Sequence, residues 1–282
     1  AERRYYSVRT GKHPLGSKID LQMLLKLFKV LYDFFDGEGY LQEAFGYTCV
    51  DAGYVPGAVG GDIRSYVLIR LRKDYIWPIS SQCVGYDESD LFDVIEFLYD
   101  HVSCPTHGKN HSYNECGWHY DMFDKQMGQD EYRERINTLL LRDYNDGYEL
   151  SQDGEILHLA IPGAEALLSD RPPQYDEKNV DVRIAEAINV FRRYRASLED
   201  KRNAVKMLAD VLEFLKPKLK MVLTKADEAD LFQIANNFGI RHNNDKQKTD
   251  YDQAIWFDWI FYYYLAIINA AVRLIAAKSQ IK

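Results

Sequence analysis

The stretch that divides the chain is SDRPPQYD, residues 169–176. Its two consecutive prolines cannot continue a helix, and each biases the residue before it toward extended backbone. Upstream of this stretch, helical apolar patterns alternate with short patterns typical of strands, whereas downstream every apolar pattern has helical spacing. The sequence therefore predicts a mixed α+β domain over residues 1–170 and an all-α domain over residues 177–282.

Charge is distributed unevenly between these two parts. The chain has 282 residues, with 35 Lys and Arg against 43 Asp and Glu, which gives a net charge of −8. Residues 1–170 contain 16 basic and 28 acidic side chains, whereas residues 171–282 contain 19 basic and 15 acidic ones, a net charge of +4. The overall acidity excludes a protein whose whole surface binds nucleic acid, but it allows one basic face toward a polyanion.

Cysteine content and hydropathy indicate the compartment. The 4 cysteines of this long chain are too few for a disulfide framework. No basic segment followed by an apolar run opens the sequence, and the most apolar run, residues 259–268, is shorter than the roughly 20 residues that span a bilayer. We therefore expect a cytoplasmic protein with no membrane segment.

The first part is predicted to mix helices with a hairpin. Helical spacing predicts helices over residues 20–35, 62–74, 87–101 and 132–144, with loops over 46–61 and 103–118. Two alternating segments flank Gln152-Asp153-Gly154, and an Asp-Gly pair in that setting predicts a β-hairpin over residues 148–159. A helix followed by such a ribbon is also the order found at the end of a winged-helix domain.

The second part is predicted to be a four-helix bundle. Its helices are expected over residues 180–197, 200–215, 224–238 and 252–277. The last helix has aromatic side chains on more than one face, so it must be covered on several sides. The bundle covers one side, and either the first domain or a second subunit covers the other. We favour a homodimer.

The most informative segment is ANNFGIRHNNDK, residues 235–246, between the last two predicted helices. Arginine presents a fork of donors that suits phosphate, and histidine is the side chain best suited to proton transfer near neutral pH. Arg241 and His242 are therefore the candidate catalytic pair. The candidate nucleic-acid contacts beside them are Asn237, Asn243, Asn244, Lys246 and Lys248. The alternative is an ordinary capped loop between two helices.

A four-helix module with an arginine and then a polar residue at the entry to its last helix resembles the domains of the HEPN superfamily. The closest likeness is to HEPN-like C-terminal domains of bacterial abortive-infection and phage-defence proteins, over residues 177–282. This resemblance implies a metal-independent endoribonuclease that acts as a homodimer without a cofactor. It implies that Arg241 contacts the scissile phosphate of RNA, that His242 fills the next position, and that a partner defence protein binds the chain.

The sequence departs from the family motif at one position. The motif closes with a second histidine a few residues further on, but Asp245, Lys246 and Gln247 occupy that place and no histidine follows His242. Either His242 itself moves the proton, or the domain is a non-cleaving relative. In the second case it serves as a dimerisation module beside an N-terminal domain that binds nucleic acid or protein.

A second candidate site lies in CPTHGKNHSYNECGWH, residues 104–119. Five cysteine and histidine side chains fall within it, and the pairs Cys104-x2-His107 and Cys116-x2-His119 have spacings that zinc sites use. We therefore expect zinc in the N-terminal domain, with these four residues as its ligands. The alternatives are a loop with unconnected Cys and His side chains and a metal-dependent enzyme site in the same segment.

Overall fold

The computed structural model of the protein describes residues 6–10, 18–145, 147–160, 164, 167–168, 174–220 and 252–279. The chain divides into two compact units, Ala1–Leu159 and Ala160–Lys282. The described part of the first unit combines helices with antiparallel sheets of two strands each, and the elements described in the second unit are helical. The predicted mixed class with a helical C-terminal region is thus confirmed.

Capped helices organise the first unit. In chain order its elements are α1 (Tyr6–Arg9), α2 (Leu21–Gly37), α3 (Gln42–Phe45), β1 (Tyr47–Cys49), β2 (Gly53–Val55), α4 (Ile63–Leu71), α5 (Ile79–Gln82), α6 (Glu88–Tyr99), β3 (Cys104–His111), β4 (Gly117–Asp124), α7 (Lys125–Leu139), β5 (Tyr148–Leu150) and β6 (Ile156–His158). Asp20, Asp62 and Asp87 each accept a hydrogen bond from the backbone N–H three residues on, at 2.8–3.0 Å. These caps start α2, α4 and α6 where the sequence predicts helices.

The core of the first unit lies between α2, α6 and α7. The Phe35 ring of α2 meets the Tyr132 ring of α7 edge-on at 5.1 Å. The Tyr132 hydroxyl donates to the Ile95 carbonyl of α6 at 3.2 Å, so this buried phenol is satisfied. The largest fully buried side chains around them are Leu24, Phe28, Ile76, Ile79, Leu91, Leu98 and Ile136.

Helix α7 begins seven residues before the predicted start at residue 132. Asp124 caps it by accepting from the Met127 N–H at 2.9 Å. Gly128 lets its first turn approach the backbone at the start of β3, because a Cβ at this position would lie 2.6 Å from the Ser103 Cα. Helix α7 starts early because Asp124 caps it and Gly128 allows a close backbone contact. The prediction used the spacing of apolar residues, which reveals neither feature.

Both predicted loops contain β-strands. Residues 103–118 include β3, which pairs with β4 in a long hairpin whose register runs from Cys104↔Asp124 to His111↔Gly117. Residues 46–61 include β1 and β2, which pair from Tyr47↔Val55 to Cys49↔Gly53. Both hairpins are polar and partly exposed. The apolar alternation that marks half-buried strands is therefore weak in them.

The hairpin predicted around Asp153-Gly154 is confirmed. Strands β5 and β6 pair with Glu149 opposite Leu157. The Asn137 side chain of α7 donates to the Leu150 carbonyl at 3.0 Å and accepts from the Leu150 N–H at 2.6 Å. This double contact fixes the hairpin to the helix before it.

The described elements of the second unit are a π-helical turn (Glu177–Asp181), α8 (Val182–Arg192), α9 (Leu198–Leu219) and α10 (Gln253–Ser279). Phe191 of α8 stacks on Phe261 of α10 at 3.8 Å, and Lys201 of α9 pairs with Asp258 of α10 at 2.7 Å. Helix α8 ends five residues before its predicted end, and α9 continues through Pro217 to Leu219, four residues beyond its predicted end at residue 215. Pro217 removes one backbone hydrogen bond of the helix, that of its own missing N–H. The predicted helix over residues 224–238 lies outside the described residues.

Helix α10 agrees with the predicted helix over residues 252–277, and it is apolar well beyond the run 259–268. By length and composition alone its residues 253–277 are apolar enough to cross a membrane, with a mean hydropathy of 1.6. Half of the most apolar window of this segment is buried, and Phe261, Tyr264 and Val272 are among the buried residues of the helix. A core helix of a soluble protein has the same length and composition, so these two properties do not distinguish the two environments.

Candidate metal centre

The hairpin of β3 and β4 separates the four predicted zinc ligands into two groups. Cys116 and His119 lie together near the tip, where the Cys116 Sγ is 3.2 Å from the His119 Nε2. Cys104 lies at the other end, opposite Asp124. Seven residues of extended strand span about 23 Å, which places Cys104 too far away to share an ion with the tip.

Cys104 and His107 have other partners, so the predicted ligand set needs a correction. The Cys104 Sγ lies 3.7 Å from the Tyr40 hydroxyl. The His107 Nδ1 lies 2.6 Å from the Asp121 carboxylate, and both of these side chains are exposed. The prediction assumed a flexible loop in which all of these side chains could converge, and extended strand pairing prevents that.

A different set of four side chains does converge, and it keeps Cys116 and His119. Cys49, His111, Cys116 and His119 each offer one ligand atom, and these four atoms lie within 4.8 Å of one another. Besides the Cys116–His119 contact, the Cys49 Sγ lies 3.7 Å from the His111 Nδ1. Two ligand atoms of one tetrahedral zinc ion lie about 3.3–3.8 Å apart. The two contacts are close to that spacing, so a possible metal-binding cluster exists here.

A tight turn between β3 and β4 brings His111, Cys116 and His119 together. Asn114, Glu115 and Gly117 have positive φ angles of 50°, 55° and 95°. Left-handed backbone at Asn and Glu is uncommon and costs free energy, and such residues concentrate at functional sites. The turn directs three ligands of the cluster to one side of the hairpin tip.

The fourth ligand, Cys49, is the last residue of β1, just before the turn into β2. Backbone N–H groups of Ala52 and Asp51 donate to the Cys49 sulfur and are the main reason why the pKa of this thiol is lowered, with smaller contributions from His111 and Cys116. The thiolate is the form of cysteine that binds metals. The backbone of this turn therefore favours the ligand form of Cys49.

Outer contacts orient both histidines. The Asp51 carboxylate lies 3.3 Å from the His111 Nε2, while the Nδ1 of the same ring faces the Cys49 sulfur. Tyr47 stacks on the His119 ring, with centroids 4.3 Å apart at 22°. A carboxylate behind a ligating histidine is the usual outer shell of a metal site.

Two of the predicted ligands, Cys116 and His119, belong to the cluster, whereas His111 and Cys49 were not in the predicted set. His111, Cys116 and His119 fall in one short segment whose spacing is visible in the sequence. Cys49 lies 62 residues before His111, and nothing local marks it as a partner. Only the packing of one hairpin turn against the other reveals it.

The candidate catalytic and nucleic-acid-binding side chains of the second unit lie outside the described residues. They are Arg241, His242, Asn237, Asn243, Asn244, Lys246 and Lys248. Comparison of the chain with protein-family models, curated proteins and solved structures finds no match.

Proposed function

We propose that the first unit binds one Zn²⁺ ion through Cys49, His111, Cys116 and His119, and that the ion is structural. The observation behind this proposal is the convergence of the four ligand atoms within 4.8 Å. Thiolate and imidazole ligands favour zinc over magnesium or calcium. Four protein ligands complete a tetrahedral shell, whereas catalytic zinc sites keep one position for water or substrate.

The ion would join two hairpins that are weak alone. Strands β1 and β2 have three residues each, and β3 and β4 form an isolated two-stranded ribbon. Two-stranded hairpins are marginally stable in water. An ion held by Cys49 on one hairpin and by the other three ligands on the second fixes their relative position.

Metal analysis tests this ligand set. We expect purified full-length protein to contain one zinc per chain, and Cys116→Ser to abolish tight binding because a hydroxyl does not replace a thiolate ligand. The matched control is Cys104→Ser, which changes the same residue type on the same hairpin and should retain the zinc. Loss of zinc from the Cys104→Ser protein, or full zinc content in the Cys116→Ser protein, contradicts the proposal.

For the second unit we propose a function on RNA, as a metal-independent endoribonuclease that works as a homodimer. The net charge of +4 over residues 171–282 and the resemblance around Arg241 and His242 support this proposal. In the proposed reaction a 2′-hydroxyl attacks the adjacent phosphate and the 5′-oxygen leaves. Arg241 stabilises the phosphoryl charge and His242 transfers the proton. The alternative is a non-cleaving dimerisation module.

RNA digestion separates these two functions. We expect cleavage of single-stranded RNA in magnesium-free buffer, and we expect Arg241→Ala to slow it at least about 100-fold, since removing a group that stabilises transition-state charge has such an effect. Arg273→Ala, on the exposed side of α10, is the matched control and should cleave at the parental rate. The absence of cleavage would support the dimerisation module. Activity that disappears with the bound zinc would assign the reaction to the metal centre instead.

A further inference from the structure

A cavity lies in the first unit between α4 and the end of α6, and it shares no residue with the Cys49 cluster. Its volume is about 370 Å³, and the polar side chains that line it are Tyr66, Arg70, Asp93, Glu96, Asp100 and His101. This volume is within the range of small-molecule sites in proteins, about 300–1,000 Å³.

The hydrogen bonds of His101 show which of its two ring nitrogens can accept a hydrogen bond in the cavity. Its Nδ1 lies 2.6 Å from the Phe97 carbonyl, which can only accept, so the proton is on Nδ1. Burial lowers the pKa of His101 and keeps the ring neutral. The ring is also held by Phe97 at 4.3 Å and by Phe45, stacked at 5.4 Å. Nε2 therefore has a fixed lone pair.

This lone pair orients the hydroxyl of Tyr66. The Tyr66 oxygen lies 3.0 Å from the His101 Nε2, so the hydroxyl donates its single proton to that nitrogen. The tyrosine oxygen then has only lone pairs for any further partner. A group that binds to it must therefore be a hydrogen-bond donor.

The carboxylates around the cavity determine the charge of that donor. Lys73 lies 2.7 Å from Asp93 and also 2.7 Å from Asp90, so one ammonium serves two carboxylates. Glu96 accepts only a backbone N–H, that of Ile156, and the Asp100 carboxylate has no ion pair within the part of the chain that the structure describes. The other two cations beside these groups are Arg70, which lies over the Tyr66 ring at 5.4 Å, and Lys125, which donates to the Asp100 backbone carbonyl at 2.5 Å. Three cations therefore stand against four carboxylates, which leaves one negative charge in excess. The lining therefore favours a cation over an anion.

The cation is organic rather than a bare metal ion. Among the described residues, the side chains that converge closely enough to hold a metal are those of the Cys49 cluster, and none of them lies in this cavity. Leu71 and Phe97 supply the apolar part of the lining, which suits the alkyl part of such a ligand. Carboxylates and a tyrosine oxygen that has only lone pairs left accept hydrogen bonds from ammonium N–H groups.

We propose that this cavity binds a small alkyl ammonium ligand, whose N–H groups donate to the Tyr66 oxygen and to the carboxylates of Glu96 and Asp100. His101 is a positioning residue, because it holds the Tyr66 proton away from the ligand. This proposal is independent of the zinc site and of the action on RNA.

Titration of the full-length protein with 1,4-diaminobutane tests the proposal, with the His101 ring signals followed by NMR. We expect saturable shifts of these signals. Tyr66→Phe should weaken binding about tenfold, the usual effect of losing one hydrogen bond to a charged group. Asp100→Asn should weaken binding to a similar extent. Asp33→Asn, on the exposed side of α2, removes the same charge elsewhere and should leave the affinity unchanged.

Three results would overturn the proposal. The first is the absence of saturation, and the second is an equal loss of affinity in Asp33→Asn and Asp100→Asn, which would indicate attraction by net charge alone. The third is a response to butyrate or to Mg²⁺ as strong as the response to the diamine. Circular dichroism and thermal melting of each variant show whether it is folded, so that a structural loss is distinguished from a loss of binding.

Discussion

Removal of zinc by a chelator is expected to lower the melting temperature of the first unit by about 10 °C. At a free zinc concentration a thousand times its Kd, bound metal stabilises the folded state by about 4 kcal/mol. For a unit of this size, each kcal/mol corresponds to about 2–4 °C. The effect is large because the ion joins two separate two-stranded hairpins, and each of these is marginally stable without it.

Scanning calorimetry with and without chelator measures this shift, and the cysteine variants supply its controls. The Cys104→Ser protein should respond to the chelator as the parental protein does. The Cys116→Ser protein should melt at the lower temperature from the start and should not respond further. A parental protein that melts at the same temperature after complete zinc removal would show that the ion, if bound, is not structural.

The Gly46→Ala variant is expected to lose about 3 kcal/mol of unfolding free energy or more. Gly46 has φ 76° and ψ −165°, a backbone region that only glycine adopts readily. A Cβ at this position would collide with the Val55 carbonyl oxygen and would lie 2.7 Å from the Gly57 nitrogen. Backbone strain and overpacking each cost about 1–3 kcal/mol, and here both apply.

Urea unfolding and zinc competition together measure this effect. Gly46 lies three residues before Cys49 and fixes the entry to β1, so we expect zinc affinity to fall along with stability. Gly61→Ala is the matched control, because a Cβ at Gly61 meets nothing within 4 Å and its backbone does not require glycine. If both variants unfold at the same urea concentration, the close approach at Gly46 is not what holds β1 in place.

The sequence predicts best those features that are encoded locally. The starts of α2 and α6 follow from Asp20 and Asp87, whose caps need only the N–H three residues on. The hairpin around Asp153-Gly154 follows from its turn residues and the alternation beside them. Each of these signals lies within a few residues, so no tertiary contact is needed to interpret it.

The ligand set of the candidate metal cluster could not be predicted from residue spacing alone. The Cys116 and His119 pair is visible because both residues lie in one turn. Cys104 and His107 have the same kind of spacing, but strand pairing separates them from the tip. Cys49 joins the cluster through tertiary packing alone. Spacing therefore identifies candidate ligands, but the path of the backbone decides which of them meet.

The long separation between Cys49 and His111 has a consequence for how the chain assembles. An ion bound at both positions closes a loop of about 60 residues, and a crosslink of that length removes about 4 kcal/mol of conformational freedom from the unfolded chain. The nearby pair Cys116 and His119 can capture zinc before the rest of the fold exists, whereas Cys49 must arrive from a distant segment. Metal uptake would then proceed in two stages. The ion first binds weakly to Cys116 and His119, and it binds tightly once Cys49 completes the ligand set.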